Sequence, residues 1–293
     1  MTTVARVAAQ AKINLFLRVL AREESGYHAL ETLFARLDLV DDVTVRVGGA
    51  GRSIDCRGTD LGPPESNLAF RAATAYAEVA RWPHAFAIEI DKRIPIGGGL
   101  GGGSADAGAV LRVLNALAPS PIAPDALVAI AGGLGADVPF LTAASPLALA
   151  WGRGDRLLEL TPLPPRDVAL ICFPFAVSSA AAYAWLAESR RSRPPRAAGA
   201  RLTLAELGSW EGVAGLAGND FESEVSRRHP PIGAVLSSAR SQRGLVAGLS
   251  GSGSTVFVIA APGVDPATIC LPQGASLLRT RTARSVEDVH VIG

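Results

Sequence analysis

Of 28 basic residues only two are lysines, Lys12 and Lys92, and the other 26 are arginines. A chain that takes its ordinary positive charge from Arg and keeps Lys at two places points to a compact, rotatable ammonium there, as phosphate sites often use. Three residues after Lys92 the sequence reads Pro95-Ile96-Gly97-Gly98-Gly99-Leu100-Gly101-Gly102-Gly103-Ser104. Residues without Cβ let backbone N–H groups approach an anion, and a helix starting near Ser104 adds its free amides and positive dipole end. A second such loop, Ser250-Gly251-Ser252-Gly253-Ser254, follows much later. Gly135-Ala136-Asp137-Val138-Pro139-Phe140 sets one carboxylate in an apolar run, before a proline expected to keep the chain from continuing as helix. Amides and ammonium for phosphate charge, with a carboxylate for an acceptor hydroxyl, are the minimal set for phosphoryl transfer. Blander accounts stay open at this point: Asp137 as a helix cap, the glycines as a linker, the lysines as surface residues. The GxGxxG match at Gly97, Gly99 and Gly102 is nearly automatic in so glycine-rich a run. A P-loop is excluded because no Gly-Lys-Ser/Thr follows.

The elements that must position these groups are readable in outline. Residues 11–20 alternate, with Ile13, Leu15, Leu17 and Val19 on one face, which predicts a half-buried strand; 43–47 and 86–91 repeat the pattern. Ser66 is expected to cap a helix to about Arg81 with Leu68, Ala72, Ala75 and Val79 inward. A helix over 104–118 has Ala107, Val110, Leu111, Leu114 and Leu117 at core spacing. A further helix runs from Pro124 to the Gly132-Gly133 break, and strands near 147–151 and 156–160 close the first half. In the second half, strands are expected at 168–173, 245–249 and 255–260, and helices at 180–188, 221–228 and 232–240. The basic stretch 190–201 (RRSRPPRAAGAR) has no apolar periodicity and reads as a mobile loop, solvated or touching phosphate. No internal repeat is evident.

With 293 residues, 48% of them hydrophobic and 19% charged, the chain is long and apolar enough for two cored domains, not a disordered or disulfide-stapled one. The net charge of +1 gives no field to collect nucleic acid or anionic lipid, so any anion must be bound locally. Cys56, Cys172 and Cys270 lack metal-ligand spacing and are expected to be buried thiols in a reducing, cytoplasmic setting. The uncharged windows 168–187 and 244–264 are interrupted by Pro174 and by the Ser/Gly run, so no membrane span is expected.

The Lys12 strand, the Pro95–Ser104 loop and the loop at Ser250–Ser254 resemble the three motifs of the GHMP kinase superfamily, which includes galactokinase and the homoserine, mevalonate and phosphomevalonate kinases. Adding Ala11-Lys12-Ile13-Asn14-Leu15-Phe16-Leu17, Gly26-Tyr27-His28, Leu134-Gly135-Ala136-Asp137-Val138-Pro139 and Asn219-Asp220, nearly the whole chain is similar to the branch acting on a CDP-linked methylerythritol. The resemblance implies a two-domain α+β GHMP kinase fold. Residues 1–160 would form a ribosomal protein S5 domain 2-like N-terminal domain and 161–293 a C-terminal α+β domain, with the ATP site between them. It also implies Mg-ATP-dependent phosphorylation of the 2-hydroxyl of that small-molecule substrate, without nucleic acid or membrane, by a cytoplasmic monomer or homodimer.

By the same resemblance, Asp137 accepts the hydroxyl proton and Lys12 orients it and stabilises transferring charge. Pro95, Ile96, Gly97, Gly98, Gly99, Leu100, Gly101, Gly102, Gly103, Ser104 and Ala105 wrap the ATP phosphates, Lys92 lies close to the nucleotide, and Asn67 sits at the adenine side. Tyr27 stacks on the cytosine, His28 meets its edge and Tyr183 forms the opposite wall; Asn14 contacts the methylerythritol and Phe34 lines its pocket. Ser104 is the one candidate metal ligand. Ser25 stands where the family has aspartate, and Ala105 where it has a second serine. Alternatives are a homoserine- or mevalonate-type kinase, which has no base to fill an aromatic clamp, and a nucleotide-binding protein without catalysis. A dinucleotide oxidoreductase would want an acidic residue ending a strand about 20 residues past the loop; Asp125 is there instead, behind Pro124 at a helix start.

Overall fold

The structure is a computed structural model and describes residues 2–22, 28–59, 62–192, 202–242, 245–266 and 269–292. In chain order the first half contains β1 (Thr3–Arg22), β2 (His28–Val47), β3 (Arg52–Arg57), α1 (Leu68–Ala80), β4 (Phe86–Asp91), α2 (Gly102–Leu117), α3 (Pro124–Gly132), α4 (Val138–Thr142), β5 (Leu147–Gly152) and β6 (Arg156–Glu159). The second half contains β7 (Asp167–Cys172), α5 (Ser179–Ser192), α6 (Leu204–Leu207), α7 (Trp210–Leu216), β8 (Gly218–Asn219), α8 (Glu222–Arg228), α9 (Pro230–Arg240), β9 (Leu245–Leu249), β10 (Val256–Ala260), β11 (Ser276–Arg281) and β12 (His290–Ile292).

Two sheets organise these elements. The larger has the order β12-β1-β2-β4-β3, with β5 also on β2, β6 on β5 and β8 on β1. The 20-residue β2 pairs antiparallel with β1 along one edge, and along the other serves two further antiparallel ladders, with β5 over residues 30–35 and with β4 over 42–47. The smaller sheet, β11-β7-β10-β9, is wholly antiparallel. One of its faces, with Val168, Leu170, Phe257 and Ile259, joins the main core; the other, with Ala169, Ile171, Val256 and Val258, packs against residues of α5, α8 and α9. Burial on both faces is why β7 and β10 are continuous apolar runs rather than alternating ones.

Several expectations need correction. Residues 11–20 lie within a longer strand that is buried on both faces, with Lys12, Asn14 and Phe16 as covered as Ile13 and Leu15. The cap of α1 is Asn67, whose Oδ1 accepts from the Ala69 amide, while Ser66 ends a 3₁₀ turn and donates to the Pro63 carbonyl. The buried stripe of α1 is Ala69, Ala72, Ala73, Tyr76 and Ala77, and Val79 is exposed, because the face of small alanines, not the one with Leu68 and Val79, packs closely against its neighbours, chiefly α2. Pro139 does not prevent a helix, since it occupies the first turn of α4, where no intrahelical N–H is needed. Only Cys172 is buried; Cys56 is half-buried and Cys270 exposed. Arg190 belongs to α5, and residues 193–201 of the expected loop lie outside the described residues. Strands β3, β8, β11 and β12 and helices α6 and α7 had no sequence expectation.

Candidate active site

Between β4 and α2 the glycine loop closes over the Lys12 region of β1. The Lys12 amide donates to the Leu100 carbonyl at 2.9 Å, so the strand carrying the ammonium also carries the loop. Gly101 passes directly over the Lys12 stem, where an added Cβ would lie 2.9 Å from Cγ. Helix α2 begins at Gly102, two residues before the expected start, and its first turn presents the amides of Gly102, Gly103 and Ser104 without helical acceptors.

The second loop, between β9 and β10, locks onto the first. The Ser250 hydroxyl donates to the Gly99 carbonyl at 2.9 Å and the Thr255 amide to the Gly98 carbonyl at 3.1 Å. Gly99 has φ +80, and a Cβ there would meet the Ser250 carbonyl oxygen at 2.1 Å, so only glycine allows the contact. A cavity of about 390 Å³ opens above the joined loops, lined by Pro95 to Ser104, Lys92, Asn67 and Asp137. Ala105 is not on its wall: it is buried, and its amide donates to the Gly101 carbonyl.

At the inner end of this cavity, Lys12 Nζ stands 3.2 Å from Asp137 Oδ2. Lys12 is 2% exposed, whereas the Asp137 side chain keeps 30% of its surface open. Asp137 precedes α4 but makes no capping bond, so its carboxylate is free for Lys12 and the cavity. Behind α4, the buried Arg36 donates to the Phe140 and Ala143 carbonyls at 2.8 and 2.9 Å and pins the end of the helix. Lys12 Nζ also donates to Asn14 Oδ1 at 2.8 Å; Asn14 Nδ2 donates to Thr32, which donates to the Phe16 carbonyl.

Lys92 has a different setting. Its ammonium is bound by Asp41 and, at 2.6 Å, by Asp106 of α2, and the other Asp41 oxygen accepts from the Arg93 and Ile94 amides. Burial alone would lower the Lys92 pKa, but the two carboxylates raise it. One ammonium cannot hold two buried carboxylates fully ionised: burial, then the charge of Asp41 working against the pull of Lys92, pushes Asp106 up to about 7. Asp106 Oδ1 is buried with no hydrogen-bond partner in the structure.

A narrower cavity of about 250 Å³ continues from the Lys12–Asp137 pair, lined by Asn14, Thr32, Phe34 and Tyr183 among others. Lys12, Ser104, Asp137, Ser179, Gly251 and Ser252 line both it and the nucleotide-sized cavity. Beyond Tyr183 lies a third cavity, about 550 Å³, with His28, Leu30, residues 132–136 and Arg153 on its walls. His28 and Tyr183 stack directly, centroids 4.6 Å apart, leaving no slot for a base between these two rings. Burial, and secondarily the Asp137 charge, raise the Tyr183 hydroxyl above the usual phenol value. Phe34 packs on Phe140 with its centroid 5.5 Å from Lys12 Nζ. Tyr27 lies outside the described residues, as does Ser25.

Of the residues singled out in the sequence, Lys12, Ser104 and Asp137 lie where the first two cavities meet, Asn67, Lys92 and residues 95–103 line the first alone, Asn14 and Phe34 the second alone, Tyr183 the second and third, and His28 the third; Asp41, Asp106, Arg36, Thr32 and Ser179 join them unannounced. Asp106, among alanines, and Arg36, in the run Leu33-Phe34-Ala35-Arg36-Leu37, are lone charges in apolar surroundings, the one signal that marked Asp137; Thr32 beside Glu31, Asp41 beside Asp42 and Ser179 beside Ser178 had none. Among the described residues no group of three His, Cys, Asp or Glu could hold a metal ion, and no helix is long and apolar enough to cross a membrane.

Comparison with known proteins agrees with this geometry. The GHMP kinases N terminal domain family matches residues 67–144 and the GHMP kinases C terminal family residues 202–270. The 4-diphosphocytidyl-2-C-methyl-D-erythritol kinase of Anaeromyxobacter dehalogenans (strain 2CP-C) is 41% identical over 97% of this chain and 88% of its own. The enzyme of the same name from Pelotomaculum thermopropionicum is 36% identical over 86% of this chain and 88% of its own. A crystal structure of 4-(cytidine 5'-diphospho)-2C-methyl-D-erythritol kinase superposes with a TM-score of 0.73 at 34% identity, covering 95% of this chain and 99% of that one. With relatives of this identity over most of its length, and both halves of the kinase domain pair in place, the chain belongs to the 4-diphosphocytidyl-2-C-methyl-D-erythritol kinase family of the GHMP kinases.

Proposed function

We propose that this kinase transfers the γ-phosphoryl group of ATP to the 2-hydroxyl of 4-diphosphocytidyl-2-C-methyl-D-erythritol, a step of the non-mevalonate route to isoprenoid precursors. The observation that carries the reading is the meeting of two cavities at Lys12 and Asp137, one roofed by backbone amides and the other leading to aromatic side chains. ATP phosphates would lie along residues 95–104 with the adenine toward Asn67, and the acceptor would enter past Tyr27, His28 and Tyr183.

Asp137 accepts the proton of the attacking hydroxyl, and Lys12 holds the carboxylate in line and balances charge on the phosphoryl oxygens. Lys92, its charge already met by two carboxylates, shapes the cavity floor beside the nucleotide. Asn14 has both lone pairs of Oδ1 engaged, so it reaches the methylerythritol only through the second hydrogen of Nδ2. Phe34 lines the same pocket.

Mg²⁺ arriving on the nucleotide would neutralise the β and γ oxygens, and such an ion needs only one or two protein oxygens. The Ser104 hydroxyl, on the wall of both cavities, fits that need. Residues 1–160 and 161–293 are the two domains of this proposal, although β8 and β12 of the second pair with β1 of the first. The enzyme of this proposal is a cytoplasmic monomer or homodimer; the near-neutral charge argues against a nucleic-acid partner, and the free thiols fit a reducing compartment.

Acceptor-dependent ADP release tests the function, comparing the cytidyl substrate with homoserine and mevalonate. Turnover with the cytidyl compound alone is expected. Turnover with another alcohol would overturn the acceptor, and ATP binding with no turnover would overturn the kinase.

A further inference from the structure

The Asn219-Asp220 pair has no part in the reaction as described so far. It follows α7: Asn219 ends the short strand β8 and pairs with Leu17 of β1 two residues beyond the second bulge of that strand, and Asp220 comes directly after it. Asn219 is 8% exposed, and its carboxamide is fully used. Nδ2 donates to the Leu249 carbonyl at 2.8 Å and to the Gly251 carbonyl at 2.7 Å, and Oδ1 accepts from the Phe221 amide at 3.0 Å. Both donated bonds go to the second glycine loop, one at its root and one at its tip.

What that loop then touches gives the pair its meaning. The Gly251 amide donates to Asn14 Oδ1 at 2.9 Å, the same oxygen that receives Lys12 Nζ at 2.8 Å. A Cβ added to Gly251 would stand 3.5 Å from Lys12 Nζ and 3.4 Å from the Gly99 carbonyl oxygen. A relay of contacts therefore runs from Asn219 to the Gly251 carbonyl, across that residue to its amide, on to Asn14 Oδ1, and from there to the Lys12 ammonium and its ion pair with Asp137. None of its members before Lys12 carries a formal charge, so the relay adds no net charge at the junction and acts by placing neutral dipoles around the ammonium.

We propose that Asn219 is a positioning residue for phosphoryl transfer, holding Gly251 so that its amide and Asn14 fix the Lys12 ammonium between the phosphate loop and the acceptor cavity. This rests on the assignment of Lys12 to the transferring phosphoryl group. The neighbour Asp220 supplies the contrast: its carboxylate accepts from the Val19 amide at 2.7 Å and from Arg190 at 2.6 Å, tying α5 to β1 with no contact to either glycine loop. Asp220 secures the fold at the same joint, and Asn219 aims the loop.

Asn219→Asp keeps the size and the Phe221 contact but removes both donors to the loop. Steady-state kinetics with Mg-ATP and the cytidyl acceptor, and melting temperatures, are measured for it beside Asp220→Asn and Lys12→Ala. A misplacement on the order of 1 Å can cost about 100-fold, so kcat of Asn219→Asp is expected to fall at least about 30-fold while both KM values stay within about threefold. Asp220→Asn is expected to lose a comparable amount of melting temperature yet keep kcat within about threefold. A kcat that follows melting temperature equally in both variants, or stays at the wild-type value in Asn219→Asp, overturns the proposal. Should Asn219→Asp not fold, Asn219→Ser, which keeps one donor, replaces it with the same criteria and an intermediate loss of kcat. Near wild-type turnover in Lys12→Ala would instead strike down the underlying reading of Lys12, whatever the Asn219 variants do.

Discussion

Lys12 and Lys92 adjoin consecutive glycines of one loop, Gly101 and Gly102, yet the number of carboxylates around them differs. Lys12 faces a single carboxylate at 3.2 Å, part of which is open to the cavity, and otherwise meets only neutral groups. Lys92 is enclosed by two carboxylates, so its cluster is neutral or negative before any ligand arrives. Under the function proposed above, two ammonium groups of one chemical type would divide the work: the second ties β2, the end of β4 and α2 together, and the first is left for an incoming phosphoryl group. Proximity to phosphate is thus a poor guide to which lysine supplies charge, and the count of carboxylates around each is a better one.

The comparison can be broken at four points. Asp137→Asn preserves shape and removes the carboxylate proposed to accept the proton; kcat measured by ADP release should drop about 10²–10⁴-fold, and near wild-type turnover would remove Asp137 from that role. Lys92→Met strands two buried carboxylates, and chemical denaturation should show a loss of about 3–5 kcal/mol, because breaking a buried pair leaves uncompensated charge. If stability holds and only ATP affinity drops, Lys92 is a ligand-binding charge after all and the division fails. Lys12→Met leaves one partly exposed carboxylate, so stability should change little while kcat falls about 100-fold and the ATP KM moves far less. A variant raised only in ATP KM would contradict the proposed contact with the transferring group.

The smallest expected effect is a pH slope. Asp106 is pushed up to about 7 from its ordinary 3.8, so between those values the native state holds a proton that the unfolded chain has released. Stability therefore falls as pH rises through that window and levels off above it. Asp106→Asn abolishes this slope, and its advantage over wild type should be greater at about pH 8 than at about pH 5 in denaturant titrations. Equal differences at both values would show that the Lys92 cluster does not carry a shared proton.

How much of this was legible in the sequence depended on whether a residue advertises itself. Lys12 stood out as one of two lysines, the glycine loop by composition, and Asp137 as a lone charge in an apolar run. All three lie at the junction of the cavities. Asp41 gave no such signal, and Asp106, a lone charge among alanines, gave it without a partner in view, since Lys92 is 51 and 14 residues away from them and only the fold brings the three together. Strand β4 was read with its observed bounds because it alternates cleanly beside one buried face. Strand β1 misled: bulges after Gln10 and Asn14 and burial on both faces hide polar residues inside the molecule that a half-buried strand would have exposed. Strand β11 was missed because SLLRTR presents exposed and half-covered residues without a periodic apolar face.

The direct bonds between the two glycine loops bear on how tightly anions are held. Gly98 and Gly99 offer their carbonyls to Thr255 and Ser250, so a segment with six glycines in seven residues, which as a free chain would have the widest conformational choice of any, is fixed by a second segment some 150 residues later. The entropy of ordering that loop is therefore lost when the chain folds and not when the nucleotide binds, which is the condition for preorganised recognition. Affinity for phosphate is then a property of the folded protein as a whole: any change that loosens β9 or β10 weakens nucleotide binding from the far side, without touching a single residue of the loop that does the holding.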